Sequence, residues 1–492
     1  MRRKPEKLVK FINAKAFCFV MVLIAVASST SFSQSITWQR TYDGPLHEDD
    51  IGYDICEADG DNFYIVGYAN NSPNVIFTIK IDKFGETIWT RTLSHPNGLS
   101  IRAFAVVSSG DGGCVLTGSW DSSFTIKYDM AGNLIWQKFY GGYDVQCHDI
   151  FRTSDGGYLA CGRHYLDGYI LKIDSSGNFL WDRTFTSMGV RAYLSVVKSI
   201  DQGMILAGAF SLTPNVPGDA LFTKIDSLGN ILHENKFKMR GLSTTITSIC
   251  KTESSYLAAG NFFNGQDFRV FISKMGLNGD IIDTNSFYSM RNEYEPRLVS
   301  INTNRTVYIS IKDTTYPIPS FVLIRIMDSS FNIINQKTFR WTEDLTVKSI
   351  YPVNNGDILF AGWSKDPFPI RANVYALRTD SMLNAIPPIG INQNTTLIPN
   401  NFSVNQNYPN PFNPTTTIKF EIPQDAKVFI KIYDLLGREV FSVSEYKQAG
   451  SYEMMFDGSN LASGLYFYSL EASPPTGSVR GYFETKKMVL IK

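Results

Sequence analysis

Two sequence anchors recur in phase every 45–52 residues, with four short strand patterns between recurrences. Such a period predicts an all-β chain, a seven-bladed β-propeller followed by a small Ig-like β-sandwich. The first anchor is Asp82-x-x-Gly85 ending on Trp89, repeated as Asp129-x-x-Gly132 with Trp136 and Asp174-x-x-Gly177 with Trp181. A fourth copy, Asp226-x-x-Gly229, ends on His233, and three decayed copies centre on Gly276, Asp328 and Asp380. The second anchor runs from Asp111 to Gly118, Asp155 to Gly162 and Asp201 to Gly208. Its closing glycine returns at Gly67, Gly260 and Gly362, with Ser310 in the sixth copy.

Both anchors read as framework. An Asp carboxylate caps a tight turn and Gly accepts positive φ, so neither residue needs a catalytic role. Asp59-Gly60-Asp61-Asn62 lacks EF-hand spacing and reads as a hairpin turn. Fourth strands are expected near Ile36–Tyr42, Thr87–Leu93, Leu134–Tyr140, Asn178–Phe185, Ile231–Phe237, Ile281–Phe287 and Ile333–Phe339. The chain thus begins on a fourth strand, and its last repeat, 347–380, lacks one. Pairing those two ends would close the ring and remove a free sheet edge.

The domain limits follow: a ring over 34–383, a Pro- and Asn-rich linker over 384–400, and a terminal domain over 401–492. From Ser381 to Ile418 the chain has no Asp, Glu, Lys or Arg, which marks the uncharged stretch leading into the last domain. Beyond it, Thr415–Ile422, Lys427–Tyr433, Val440–Val443, Ser451–Phe456, Leu465–Ala472 and Lys487–Ile491 carry strand patterns.

Charge narrows the partners. The chain holds 46 basic and 46 acidic residues, but residues 1–15 hold six basic residues against Glu6 alone. The remainder is therefore 40 − 45 = −5, a mildly acidic body without the basic patch that nucleic acid requires. After the basic start come the apolar run Ala16–Ala27 and small residues at Ser31 and Ser33, the parts of a signal peptide over 1–33. Twelve apolar residues fall short of the roughly 20 that span a bilayer, and no transmembrane segment is expected in the mature chain. Removing the signal leaves Cys56, Cys114, Cys147, Cys161 and Cys250, an odd and sparse set expected as buried thiols rather than a disulfide framework.

The last ninety residues carry a resemblance. Asn401–Phe420 with its Asn407-Tyr408-Pro409-Asn410-Pro411 core, Ile432–Val440, Leu461–Phe467 and the terminal Lys486–Lys492 resemble, in order, the type A sorting domains of type IX secretion in Bacteroidetes and their relatives. The resemblance implies that residues 401–492 are recognised by the outer-membrane secretion machinery, then usually removed. It implies a cell-surface or secreted protein. Ser473–Gly481 departs from the pattern as an extended turn before the last strand.

Chemistry is harder to find. The Asp, Gly and Trp order resembles the tryptophan motif of quinoprotein propellers and, loosely, the Asp-box of sialidases, yet differs from both in spacing, so no catalytic residue carries over. His47, His95, His148 and His164 are expected in loops on one face, and no HExxH or GxSxG spacing accompanies them. The sequence therefore assigns no catalytic residue, metal ligand or cofactor. The favoured reading is a non-catalytic module binding an extracellular glycan or protein. The alternative is an extracellular hydrolase, lyase or oxidoreductase with its site in the central funnel. Aromatics just beyond the closing glycines, Tyr68, Trp120, Tyr165, Phe210, Phe262 and Trp363, are the candidate ligand contacts, on loops that vary from blade to blade.

Overall fold

In a computed structural model, the described residues are 37–492 apart from 45–48, 71–72, 120–121, 187–188, 202, 213–217, 264–267, 288–292, 303, 313–319, 340–343, 368–369, 385–391, 396–398, 400, 425, 448, 459–460 and 474–480. Among them, residues 38–379 form seven four-stranded antiparallel sheets. Six are continuous meanders: blade 1 over 50–93, blade 2 over 102–140, blade 3 over 145–185, blade 4 over 190–237, blade 5 over 243–287 and blade 6 over 293–339. Blade 7 takes three strands from 345–379, and Trp38–Tyr42 pairs antiparallel with Ile370–Thr379 as its fourth. First strands touch in cyclic order, and that of blade 7 touches that of blade 1. The chain is a β-propeller.

Burial explains the strand sequences. Seven apolar clusters each join two neighbouring blades, one cluster per interface around the whole ring. A middle strand is therefore covered on both faces, and Val75–Ile81 is buried at all seven positions. Such strands read as apolar runs rather than alternations. Outer strands meet solvent, and Thr87–Leu93 alternates exposed and half-covered residues. Cys56, Cys114, Cys147 and Cys161 are buried unpaired thiols, with Cys250 half-buried.

The two anchors find each other inside a blade. The basic residue two places before the turn aspartate of the first anchor pairs with an aspartate in the turn between the blade's first and second strands. Lys80 meets Asp59 at 2.6 Å, Lys127 meets Asp111 at 2.6 Å, Lys172 meets Asp155 at 3.0 Å and Arg378 meets Asp357 at 3.0 Å. The turn aspartates act as caps. Asp129 Oδ1 accepts from the amides of Ala131 and Asn133, while Oδ2 accepts from the Asn133 side chain. Asp174, Asp226 and Asp328 repeat that pattern.

The tryptophans bind one blade to the next. A Cβ added to Gly132 would lie 2.9 Å from Trp89, one on Gly177 3.0 Å from Trp136, and one on Gly229 2.6 Å from Trp181. These three fourth strands thus lay an indole against the next blade's turn, where only glycine leaves room. At the seam, Trp38 does the same over Gly85, and its Nε1 donates to Lys83 O at 2.8 Å. Where the decayed copies hold Asp283 and Asn335 instead of Trp, the next blade's turn carries Phe331 and Leu383, both buried at positive φ. Bulk has moved from strand to turn.

Two further sheets share one apolar core in the tail. One orders Asn392–Thr395, Gly450–Asp457, Thr415–Ile422 and Ser403–Val404; the other orders Glu439–Lys447, Ala426–Tyr433, Gly464–Ser473 and Tyr482–Leu490. A strand at 392–395 lies in the stretch read as linker, and the final strand starts at Tyr482 rather than Lys487. Its first half alternates half-buried with exposed and is rich in charge, which hid it from a hydropathy reading. Arg40, on the seam strand, donates to Phe84 O at 3.0 Å, to Glu86 at 2.8 Å and to Ser442 Oγ of the tail at 2.5 Å.

Trp38 is 2% exposed and carries the seam. Trp38→Ala is expected to lower stability by about 3–5 kcal/mol, the cost of truncating a buried aromatic. Urea unfolding of the purified chain measures this, and an unchanged midpoint would mean that the ring is sealed by other contacts.

Candidate functional site

In six blades the first strand slips register once, opposite the closing glycine of the second strand. Shifts follow the pairs Gly52↔Gly67, Ala103↔Gly118, Cys147↔Gly162, Tyr193↔Gly208, Ile246↔Gly260 and Val347↔Gly362. The glycine is needed there: a Cβ on Gly67 or Gly162 would sit 1.8 Å from a first-strand carbonyl oxygen. Each bulge leaves one residue unpaired and re-aims its side chain. Those residues are Tyr53, Phe104, His148, Leu194, Thr247 and Lys348. Blade 6 has Ser310 in place of glycine and a longer irregularity that contains Glu295. With the residues that follow them, these side chains line a central cavity of about 480 Å³.

The lining has two sectors. Blades 1–3 supply rings: Tyr53 lies 5.2 Å from Phe104 edge-on, and Phe104 stacks on His148 at 5.7 Å and 27°. Blades 6 and 7 supply charge. Lys348 is ion-paired with Glu295, and Arg297 donates to Thr247 O and to Lys348 O at 3.0 Å each. Lys348 Nζ also stands 6.0 Å from the Tyr53 ring, where the sectors meet.

One residue past each bulge lies a second ring: Asp54, Ala105, Asp149, Ser195, Ser248, Arg297 and Ser349. Its polar members latch blade to blade. Asp54 accepts from Val106 N at 2.8 Å, Asp149 from Val196 N at 2.7 Å, Ser195 from Ile249 N at 3.4 Å and Ser248 from Leu298 N at 3.3 Å. Ser349 donates to Asp54 at 2.6 Å and so crosses the seam. Enclosure by protein raises the Asp54 carboxyl to about 6, against hydrogen bonds from Ser349, Val106 and Ile55 that favour its charge. Burial, with Asp54 as a like charge, raises Asp149 to about 7. Burial, then Arg163 and Arg297, holds His148 down at about 4, a neutral imidazole at pH 7.

His148 corrects the sequence expectation. It lies within the strand Val145–Arg152, at the bulge, rather than in a loop. The six candidate aromatics divide by strand parity. Tyr68, one residue past its glycine, is half-buried, 6.0 Å from Tyr53 and 4.7 Å beneath the Arg102 guanidinium, so it extends the aromatic sector. Trp363 has the same offset and is half-buried, with Lys365 Nζ 5.8 Å from its ring. Phe210 and Phe262, two residues past theirs, turn the other way and are 7% and 3% exposed in inter-blade cores. Tyr165 sits at φ 53°, half exposed beside Tyr143. Trp120 lies outside the described residues. The bulge residues themselves escaped the sequence reading. Their signal was the repeated step from Asp54, Asp149, Ser195, Ser248 or Ser349 to Ile or Val, in phase with the closing glycines.

The tail has a family match. Residues 406–479 match the secretion system C-terminal sorting domain, in accord with the type IX resemblance, and the protein is exported to the cell surface or secreted. No curated protein matches the chain. Similar solved structures include the WD40 β-propeller domain of Doa1 at 9% identity, covering 69% of this chain and 96% of that one with TM-score 0.43. Sqt1 from Chaetomium thermophilum is 10% identical over 70% and 98%, and an ancestral GH74 enzyme 10% identical over 90% and 60%, each with TM-score 0.43. Similarity this distant carries nothing about ligand or reaction. Among the described residues no helix is long and apolar enough to cross a membrane, and no group of three or more His, Cys, Asp or Glu is placed to hold a metal ion.

A raised Asp149 carboxyl binds its proton more tightly folded than unfolded. Its ionisation therefore destabilises the fold as pH rises from about 4, the ordinary carboxylate range, through about 7. Acidification from pH 8 to pH 5 should raise the melting temperature of the wild type relative to Asp149→Asn, which cannot titrate. Scanning calorimetry at both pH values measures the gap, and a gap independent of pH would place Asp149 among ordinary carboxylates.

Proposed function

We propose that this chain is a non-catalytic recognition module: led out by the signal peptide 1–33, sorted through residues 401–492 by the type IX machinery, and binding an extracellular ligand at the bulge ring. The observation that carries this reading is a division of labour along the first strands. Residues one past the bulge are engaged in joining blades, as Asp54 and Asp149 are with amides of the next blade. Bulge residues differ from blade to blade, as Tyr53, Phe104, His148, Leu194, Thr247, Glu295 and Lys348. A rigid scaffold that presents seven different side chains to one cavity suits recognition. Tyr68 extends the surface outward, and Trp363 is a further proposed contact.

A second reading rests on the two carboxyls. Burial raises both towards neutrality, and Asp54 acts on Asp149 as a like charge, as in the acid–base pairs of hydrolases. Their engagement as latches weighs against it, because each carboxyl is already held by an amide of the next blade.

Extracellular polysaccharides and surface proteins presented to the mature protein, with every bound polymer assayed for cleavage, separate the two. Binding without turnover, weakened by Tyr53→Ala, is the expected result; turnover abolished by Asp149→Asn would establish the enzyme reading instead. Mass spectrometry of protein recovered from the native cell surface or medium should give a first residue near Gln34 and a last residue within 381–410. Retention of Met488–Lys492 would refute tail removal.

A further inference from the structure

We propose that the bulge-ring cavity takes a neutral saccharide unit, which rests on the cavity being the binding site. Its two sectors ask for a ligand with an apolar face and hydroxyl edges. Tyr53 and Phe104, only half-buried at the lumen, offer ring surface on one side. Such faces take up the C–H side of a sugar ring. Beside them, with Lys348 Nζ 6.0 Å from the Tyr53 ring, Lys348 and Glu295 stand as a joined donor and acceptor. A hydroxyl can accept from the ammonium and donate to the carboxylate at once. A ligand carboxylate would meet Glu295 as a like charge, and a ligand ammonium would meet Lys348; either must break the pair to bind.

Charge balance on the wall supports the same choice. Arg297 and Lys348 face Glu295 and Asp54, which is 2 − 2 = 0, with Asp149 near its titration midpoint at pH 7 and His148 neutral. The wall is left with only the fractional negative charge of Asp149, which gives an anionic ligand no attraction. The volume also fits: about 480 Å³ lies in the lower half of the 300–1,000 Å³ range of small-ligand cavities, room for a short stretch of glycan rather than a folded partner. An extended peptide has an apolar side and polar edges too, but its backbone amides cannot both donate and accept at one atom as a hydroxyl does.

Calorimetric titration of the mature protein with neutral hexaoses of glucan, xylan and mannan type, with oligogalacturonate, and with a digest of casein peptides tests this. At least one neutral hexaose should bind, and Phe104→Ala should weaken it roughly tenfold or more while circular dichroism shows an intact fold. Glu295→Gln, at a half-exposed side chain that need not disturb folding, should weaken the hexaose and turn binding towards oligogalacturonate, because Lys348 is freed. Millimolar hexaoses that all fail to bind overturn the saccharide assignment. If peptide binds instead and Phe104→Ala abolishes it, the cavity survives as the site and only its ligand class is wrong. If a hexaose binds with Phe104→Ala and Glu295→Gln both unaffected, the cavity is not the site and both readings fall.

Discussion

The grip of one blade's outer strand on the next blade's turn is the contact on which this ring depends. A four-stranded sheet cannot bury its own middle strands, so every blade needs a neighbour on each side. Apolar clusters supply the attraction between blades but little direction, since burial is non-directional. Direction comes from an indole resting on a glycine turn, as Trp89 does on Gly132, together with the Arg91 guanidinium donating to Gly132 O at 2.8 Å. Repeated at four of the seven interfaces, this contact sets how those blades are rotated against one another. Central strands placed in that way can then be latched through Asp54, Asp149 and the serines near the axis.

Much of this was legible in the sequence because framework residues repeat. Fourth strands at Thr87–Leu93, Leu134–Tyr140, Ile231–Phe237 and Ile333–Phe339 fall where the Asp-x-x-Gly anchor placed them. Their solvent-facing character and the turn before them leave a strong local pattern. The pairings of Lys127 with Asp111 and Lys172 with Asp155 are also written into the repeat, since one residue of each pair belongs to each anchor.

The cavity was hard to read for the opposite reason. A recognition surface differs at each blade, so Tyr53, Phe104, His148 and Lys348 share no residue type that alignment of the repeats would single out. Only their flanks repeat: a glycine on the facing strand and a small or polar residue before Ile or Val. The choice of aromatics by their closeness to the glycine mixed two strand faces. Tyr68 fell on the half-open face, while Phe210 and Phe262 fell on the packed one. In the tail, charge on Tyr482–Leu490 concealed half of an outer strand whose inward positions were apolar only near its end.

The seam strand gives the ring a direction in time. Trp38 pairs with Arg378, so the first strand and its partner are 378 − 38 = 340 residues apart. Loop-closure entropy makes that pairing about 4 kcal/mol costlier than closing a hairpin of a few residues. Six blades can form from local hairpins alone, but the seventh stays a three-stranded sheet with a bare edge until the beginning of the chain returns to it. The ring is therefore a clasp fastened by its first-made end. Arg40, bonded to both the Glu86 turn and Ser442, places the sorting tail against that clasp. The segment that addresses the protein for export thus rests on the strand that joins the first and last blades.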